Sequence, residues 1–130
     1  MKQSRKVFVL DDDLVELTSL KEVLTAEGYT VECFSSAEDF LDYCHPTQVG
    51  CLLIDLLMPG MGGRGLLRHL RESGSVLSVV VVTGLFDRES LDVQESASVL
   101  LLEKPYEVST LLAMVEDGIA ASVRRRGKGR

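Results

Sequence analysis

The segment CLLIDLLMPGMGG, residues 51–63, decides the fold class of this chain. Its first four residues form a continuous apolar run, which is typical of a strand buried on both faces of a parallel sheet. Asp55 follows that run, and a glycine-rich loop then leads toward Leu66, Leu67 and Leu70. Because these leucines recur at helical spacing, the segment predicts a strand, a loop and a helix in that order.

The same alternation of strand and helix patterns continues on both sides of this segment. Further strands are predicted at residues 6–10, 30–34, 77–82 and 99–102. Further helices are predicted at residues 14–27, from Ser36 onward, at 87–97 and at 108–123, with Asp13 expected to cap the first. Such alternation produces right-handed βαβ crossovers, so we expect an α/β fold with a parallel sheet covered on both faces.

Length and charge limit the domain organisation. The chain has 130 residues, 45% of them hydrophobic, which suits one globular domain. The last seven residues, RRRGKGR, carry five positive charges, whereas the other 123 residues hold 9 basic and 20 acidic side chains. We therefore predict a domain at residues 1–123 and a basic tail, or the start of a linker, at residues 124–130. The acidic body argues against nucleic-acid binding by the domain itself.

Hydropathy and cysteine content predict the compartment. The longest strongly apolar stretch covers residues 76–82 and is far too short to span a bilayer. The N-terminal MKQSRK leads directly into a strand pattern without an apolar signal segment, so we expect a cytoplasmic protein with no membrane contact. The three cysteines cannot form a closed disulfide set and lack zinc-site spacing, so free thiols are expected.

Acidic residues follow the predicted strands at one edge of the sheet. Three aspartates at 11–13 follow the first strand, Asp55 follows the third, Thr83 ends the fourth, and Lys104 follows the fifth. Ligands of open α/β sheets bind at these carboxyl ends. Clustered carboxylates favour a hard cation such as Mg²⁺, while a lysine and a hydroxyl can bind phosphate oxygens. The pattern therefore indicates a metal-assisted phosphoryl site with one carboxylate as the nucleophile.

Four motifs resemble the receiver domain of two-component response regulators, and the resemblance covers nearly the whole chain. They are LDDD (10–13), LLIDLLMPGMGG (52–63), VVVVTG (79–84) and LEKPY (102–106). The segments SSAEDFL, DLLMPGMGG and VTG are most similar to receivers of the FixJ type. The resemblance implies a flavodoxin-like, doubly wound sheet of five parallel strands in the order 2-1-3-4-5, with five helices.

The resemblance also assigns a metal site and a phosphoryl acceptor. It implies that Asp55 accepts the phosphoryl group. It implies that Mg²⁺ is held by Asp11, Asp12, Asp55 and the backbone carbonyl of Leu57, with Asp12 as the more direct ligand and Asp11 acting through water. The phosphoryl donor would be a phosphohistidine on a sensor histidine kinase or a phosphotransfer protein. Such a domain catalyses only its own phosphorylation and dephosphorylation and is not otherwise an enzyme.

The remaining implied roles concern phosphoryl binding and switching. Thr83 and Lys104 would contact the phosphoryl oxygens, and the peptide bond between Lys104 and Pro105 would be cis. Thr83 and position 101 form the family's switch pair, but Leu101 stands here where the family carries an aromatic residue. The surface formed by the fourth helix, the fifth strand and the fifth helix would repack, and two copies could pair through it.

Two other functions remain open on the sequence. A phosphatase of the haloacid dehalogenase type has a similar order of acids, threonine and lysine and would use Asp11 as its nucleophile. This length leaves no room for a cap domain, and Asp55 with the following Met58 and Pro59 is explained only by the receiver pattern. A receiver that is not phosphorylated and serves as a binding module is the other alternative.

Overall fold

The computed structural model describes residues 5–55, 62–84 and 99–128. The strands are β1 (Lys6–Leu10), β2 (Thr30–Phe34), β3 (Cys51–Asp55), β4 (Ser78–Thr83) and β5 (Val99–Glu103). The described helices are α1 (Leu14–Ala26), α2 (Ala37–Tyr43), α3 (Gly62–Glu72) and α4 (Val108–Lys128). The helix predicted at residues 87–97 lies outside the described residues, so α4 corresponds to the fifth predicted helix.

The five strands form one sheet in the order β2-β1-β3-β4-β5. Every neighbouring pair of strands is parallel, and the central register aligns Val9 with Leu53 and Leu53 with Val80. This order and direction confirm the flavodoxin-like α/β fold. Because all five strands run the same way, the residues that follow them meet at one edge of the sheet.

Alternate strand residues are buried in two separate core clusters, one on each face of the sheet. Phe8 and Leu10 pack with residues of α2 and α3, whereas Val7 and Val9 pack with residues of α1 and α4. All four side chains are at most 1% exposed. Burying a side chain of this kind stabilises the fold by about 1.5–3 kcal/mol, so helices on both faces are needed.

Side-chain caps fix where the first two helices begin. The Asp13 carboxylate accepts hydrogen bonds from the backbone N–H groups of Val15, at 2.9 Å, and Glu16, at 3.4 Å. Ser36 Oγ accepts from the backbone N–H of Asp39 at 3.1 Å. Both caps match the sequence prediction, and each contributes about 1 kcal/mol. The Asp13 cap also fixes the first turn of α1 beside the carboxyl edge of the sheet.

The C-terminal helix is longer than predicted. We expected the last helix to end at residue 123, but α4 continues to Lys128 and includes most of the basic segment. Arg125 explains the extension, because its guanidinium donates to the backbone carbonyl of Val76, at 3.2–3.3 Å, and to Ser78 Oγ. The side chain of Arg125 is therefore anchored on the sheet, whereas the exposed Arg124 and Arg126 face solvent.

All three cysteines lie among the described residues. Cys33, Cys44 and Cys51 are free thiols, as their number and spacing predict. Burial raises the pKa of the Cys51 thiol to about 12, although the charge of Arg125 acts in the opposite direction. Among the helices that the structure describes, none is long and apolar enough to cross a membrane.

Candidate functional site

Acidic and basic side chains meet at the carboxyl edge of the sheet. Asp11 follows β1, Asp55 is the last residue of β3, and Lys104 follows β5. A cavity of about 560 Å³ opens between α1, α4 and this edge, and these three side chains line it together with Glu16 of α1. The peptide bond between Lys104 and Pro105 is cis, which is the isomer that the resemblance implies.

Lys104 lies between two carboxylates. Its Nζ atom is 3.5 Å from Asp55 Oδ2 and 3.4 Å from Glu16 Oε2. One carboxylate oxygen each from Asp11, Glu16 and Asp55 can be chosen so that all three atoms lie within 4.8 Å of one another. Three acids this close repel each other when ionised, and one lysine cannot neutralise all of them.

The pKa values of the site reflect this crowding. Burial raises the pKa of Asp11 to about 7, and the hydrogen bond to Glu16 adds to the effect. The same hydrogen bond lowers the pKa of Glu16, and burial opposes this, while the charge of Lys104 lowers it further. Burial alone would lower the pKa of Lys104, but the charges of Asp55 and Glu16 outweigh burial and raise it. Of this pair, Asp11 therefore holds a proton more readily than Glu16.

The donor set fits a hard divalent cation. Three carboxylates within reach of one ion, of which Asp11 is buried, match the oxygen ligands that Mg²⁺ prefers. A cation would also offset the burial and the carboxylate repulsion that together raise the pKa of Asp11. These residues can thus hold a metal ion, and the lysine beside them can bind an anionic group that approaches Asp55.

The predicted metal ligands and the predicted lysine fall into three groups. Asp11, Asp55 and Lys104 come together as the strand pattern predicts. Asp12 is exposed and does not belong to the carboxylate group just described. Leu57 lies outside the described residues.

The two predicted switch positions stand on adjacent strands. Thr83 pairs with Glu103, the residue before Lys104, so its backbone lies at the same edge of the sheet. Leu101 is half-buried and packs against the core cluster on the α2 and α3 face. The backbone register therefore brings the end of β4 next to the lysine that follows β5.

Glu16 was not predicted from the sequence. It occupies the third position of α1 after the Asp13 cap, where a glutamate commonly accepts from the backbone N–H of the cap residue. Here the Asp13 N–H donates instead to Asp11 Oδ1 at 2.9 Å. The Glu16 carboxylate is therefore available to Asp11 and Lys104. The acid three residues after a capping aspartate was the sequence signal that could have revealed it.

Comparison with known proteins identifies the family. Residues 7–116 match the family described as the response regulator receiver domain. The chain therefore belongs to the response regulator receiver family, whose place is in two-component signal transduction. The comparisons do not favour the phosphatase or the binding-module alternative.

Curated relatives and solved structures agree with this family. The chain is 33% identical over 114 residues to the transcriptional regulatory protein FixJ of Bradyrhizobium diazoefficiens, covering 87% of this chain and 56% of FixJ. It is 34% identical over 124 residues to the tetrathionate response regulatory protein TtrR of Salmonella typhimurium, covering 92% of this chain and 60% of TtrR.

Among solved structures, the response regulator StyR has a TM-score of 0.88 and 33% identity, over 95% of this chain and 63% of StyR. Full-length FixJ from B. japonicum has a TM-score of 0.84 and 31% identity, over 93% of this chain and 60% of FixJ. The chain thus spans little more than half the length of the curated relatives it matches.

Proposed function

We propose that this domain accepts a phosphoryl group on Asp55 from a phosphohistidine of a sensor histidine kinase or phosphotransfer protein. The observation that carries the proposal is the position of Asp55, whose carboxylate lies 3.5 Å from Lys104 Nζ and within the carboxylate group that includes Asp11. A carboxylate beside a lysine and a cation-binding group has the surroundings of a phosphoryl acceptor.

Each residue has a defined part in this transfer. A carboxylate oxygen of Asp55 attacks phosphorus, the bond between phosphorus and the donor imidazole nitrogen breaks, and an aspartyl phosphate and a free imidazole result. Lys104 binds a phosphoryl oxygen as charge accumulates there, and the Thr83 hydroxyl donates a hydrogen bond to another. The proposed ligands of Mg²⁺ are Asp11, Asp12, Asp55 and the Leu57 carbonyl. When bound there, the ion would neutralise negative charge in the loose transition state.

The proposal extends to the output of the domain. Movement at Thr83 and repacking of Leu101 would alter the predicted output surface, to which β5, α4 and the helix expected at 87–97 would contribute and through which two copies could pair. The domain, whose helix α4 continues to Lys128, would contact neither nucleic acid nor membrane itself, and the chain after α4 would form a tail or linker. Its action is limited to its own phosphorylation and dephosphorylation. The domain would act in the cytoplasm.

Intact mass after incubation with acetyl phosphate and Mg²⁺ tests the proposal. Wild type should gain a single adduct of about 80 Da that requires Mg²⁺, and Asp55→Asn should gain none. The matched control Asp42→Asn, at an exposed position of α2, should behave as wild type.

Two other outcomes would support the alternatives. A wild type that binds Mg²⁺ but gains no adduct would be a receiver used only for binding. An adduct kept in Asp55→Asn and lost in Asp11→Asn would move the nucleophile to Asp11, as in the phosphatase alternative.

A further inference from the structure

We propose that Glu16 is a positioning residue that competes with the phosphoryl group for Lys104 and so slows the phosphorylation of Asp55. This inference rests on the proposed function, because Lys104 matters to the reaction only if Asp55 accepts the phosphoryl group. It assigns a role to a residue that none of the four receiver motifs contains.

The competition follows from how Lys104 is shared. Its ammonium lies 3.4 Å from Glu16 Oε2 and 3.5 Å from Asp55 Oδ2, so neither carboxylate holds it alone. A phosphoryl group on Asp55 needs a lysine donor on its own oxygens. To align with that group, Lys104 has to weaken or leave its contact with Glu16.

Glu16 is held in place by the backbone of α1. Its own N–H donates to the Asp13 carboxylate, and the Asp13 N–H donates to Asp11 Oδ1, so the first turn is tied to the end of β1. The backbone of Glu16 is therefore fixed at a position from which its carboxylate reaches Lys104. Because the contact is 3.4 Å, it is much shorter than the Debye length of about 8 Å and physiological salt screens it only partly.

The expected effect of Glu16 on the phosphorylation rate is modest, because its contact with Lys104 is partly exposed. The side chains of Lys104 and Glu16 are 36% and 42% exposed, and ion pairs of this exposure are weak. We therefore expect Glu16→Gln to increase the rate of phosphorylation by acetyl phosphate about fivefold at saturating Mg²⁺. That factor corresponds to about 1 kcal/mol of activation free energy.

Three variants distinguish the direct contact between Glu16 and Lys104 from a general effect of negative charge near the site. Glu16→Gln removes the charge, Glu16→Asp keeps the charge but shortens the reach to Lys104, and Glu22→Gln removes an equal charge from an exposed position of α1. Both Glu16 variants should phosphorylate about fivefold faster than wild type, whereas Glu22→Gln should remain within twofold. If Glu16→Asp behaves as wild type, the effect is one of charge alone and the competition is overturned.

A double-mutant cycle tests whether Glu16 acts through Lys104. In a Lys104→Met background, which should itself be phosphorylated slowly, Glu16→Gln should change the rate by less than twofold. A fivefold effect that persists without Lys104 would overturn the proposal. A Glu16→Gln variant that is slower than wild type and binds Mg²⁺ at least tenfold more weakly would make Glu16 a metal ligand instead.

A second readout needs neither Mg²⁺ nor a phosphoryl donor. In metal-free protein, the side-chain ammonium of Lys104 should give a proton–nitrogen NMR signal protected by its carboxylate partners, assigned by its loss in Lys104→Met. Glu16→Gln and Glu16→Asp should shift or broaden that signal, and Glu22→Gln should not. An unchanged signal in both Glu16 variants would overturn the contact itself.

Failure of the proposed function and failure of the role of Glu16 give different results. If wild type gains no phosphoryl adduct, the proposed function fails and the role of Glu16 fails with it. If wild type is phosphorylated on Asp55 but all Glu16 variants react at the wild-type rate, only the role of Glu16 fails.

Discussion

The two ends of the sheet both carry polar clusters, but the clusters differ in how their polar groups are paired. At the carboxyl end, Asp11, Glu16 and Asp55 crowd negative charge around Lys104. At the amino end, a group that we call the serine clasp, made of Ser78, Ser122 and Arg125, bonds mainly to backbone atoms. One cluster has excess charge, and the other has matched donors and acceptors.

The serine clasp ties α4 to the start of β3 and β4. Ser122 Oγ accepts from the Gly50 N–H at 3.1 Å and donates to the Val76 carbonyl at 2.7 Å. Ser78 Oγ donates to the Gly118 carbonyl at 2.6 Å. Buried polar groups paired in this way stabilise a fold and leave little capacity to bind anything else.

This small domain uses polar residues in two ways. Where donors and acceptors match, as in the serine clasp, the cluster holds elements together. Where like charges are brought together, as at Asp11, the fold loses stability that a cation or a phosphoryl group can restore. We therefore expect substitutions at the amino end to lower the free energy of unfolding. At the carboxyl end, we expect the free energy of unfolding to depend on pH and on Mg²⁺.

The largest expected effect is at Gly50, beside the serine clasp. Its φ is +152°, and a Cβ atom there would lie 2.8 Å from the Lys6 carbonyl oxygen. Gly50→Ala should therefore lower the free energy of unfolding by about 3 kcal/mol in urea denaturation. The control Gly127→Ala, in open space on α4, should instead stabilise by up to about 1 kcal/mol. If Gly50→Ala lowers the free energy of unfolding by much less than about 3 kcal/mol, the backbone at this end of the sheet can shift to accept a Cβ atom.

The second prediction concerns pH at the acidic end. The pKa of Asp11 is raised to about 7 in the folded protein, so its contribution to stability is full below its unfolded pKa. That contribution is lost as pH rises through about 7. Metal-free wild type should lose on the order of 2 kcal/mol between pH 5 and pH 8 relative to Asp11→Asn. Parallel pH profiles for the two proteins in urea denaturation with a chelator would contradict this.

The third prediction removes one member of the serine clasp. Ser122→Ala leaves the Gly50 N–H without its acceptor and should cost about 1.5 kcal/mol in urea denaturation. Because Ser122 is at the opposite end of the sheet from Asp55, the Mg²⁺ affinity measured by calorimetry should not change. An affinity that falls with the stability would show that the two ends are coupled.

The smallest effect expected is the response to Mg²⁺. At ten times its dissociation constant, Mg²⁺ should raise the free energy of unfolding of wild type by about 1.4 kcal/mol. Asp11→Asn should show less than half of this gain at the same concentration, whereas Ser122→Ala should show all of it. An equal gain in Asp11→Asn would place the cation away from the acidic cluster.

Much of the fold was predictable because apolar periodicity is a local property of the sequence. The run at residues 51–54 and the capping residues Asp13 and Ser36 are each recognised from a few neighbouring positions, and the structure has them where they were expected. The extension of α4 was not predictable in this way. It depends on Arg125 reaching Val76 and Ser78, which are nearly fifty residues away in the sequence.

The sequence by itself determined that Asp11, Asp55 and Lys104 meet, because parallel strands bring their carboxyl ends to one edge. Only the tertiary structure decided that Glu16 joins them. The Asp13 backbone N–H, to which Glu16 would ordinarily bond, already donates to Asp11. Lys104, which approaches Glu16, lies just after β5 and 88 residues further along the chain. Strand ends are set by local pattern, whereas the partners of a side chain depend on which donors the rest of the fold leaves for it.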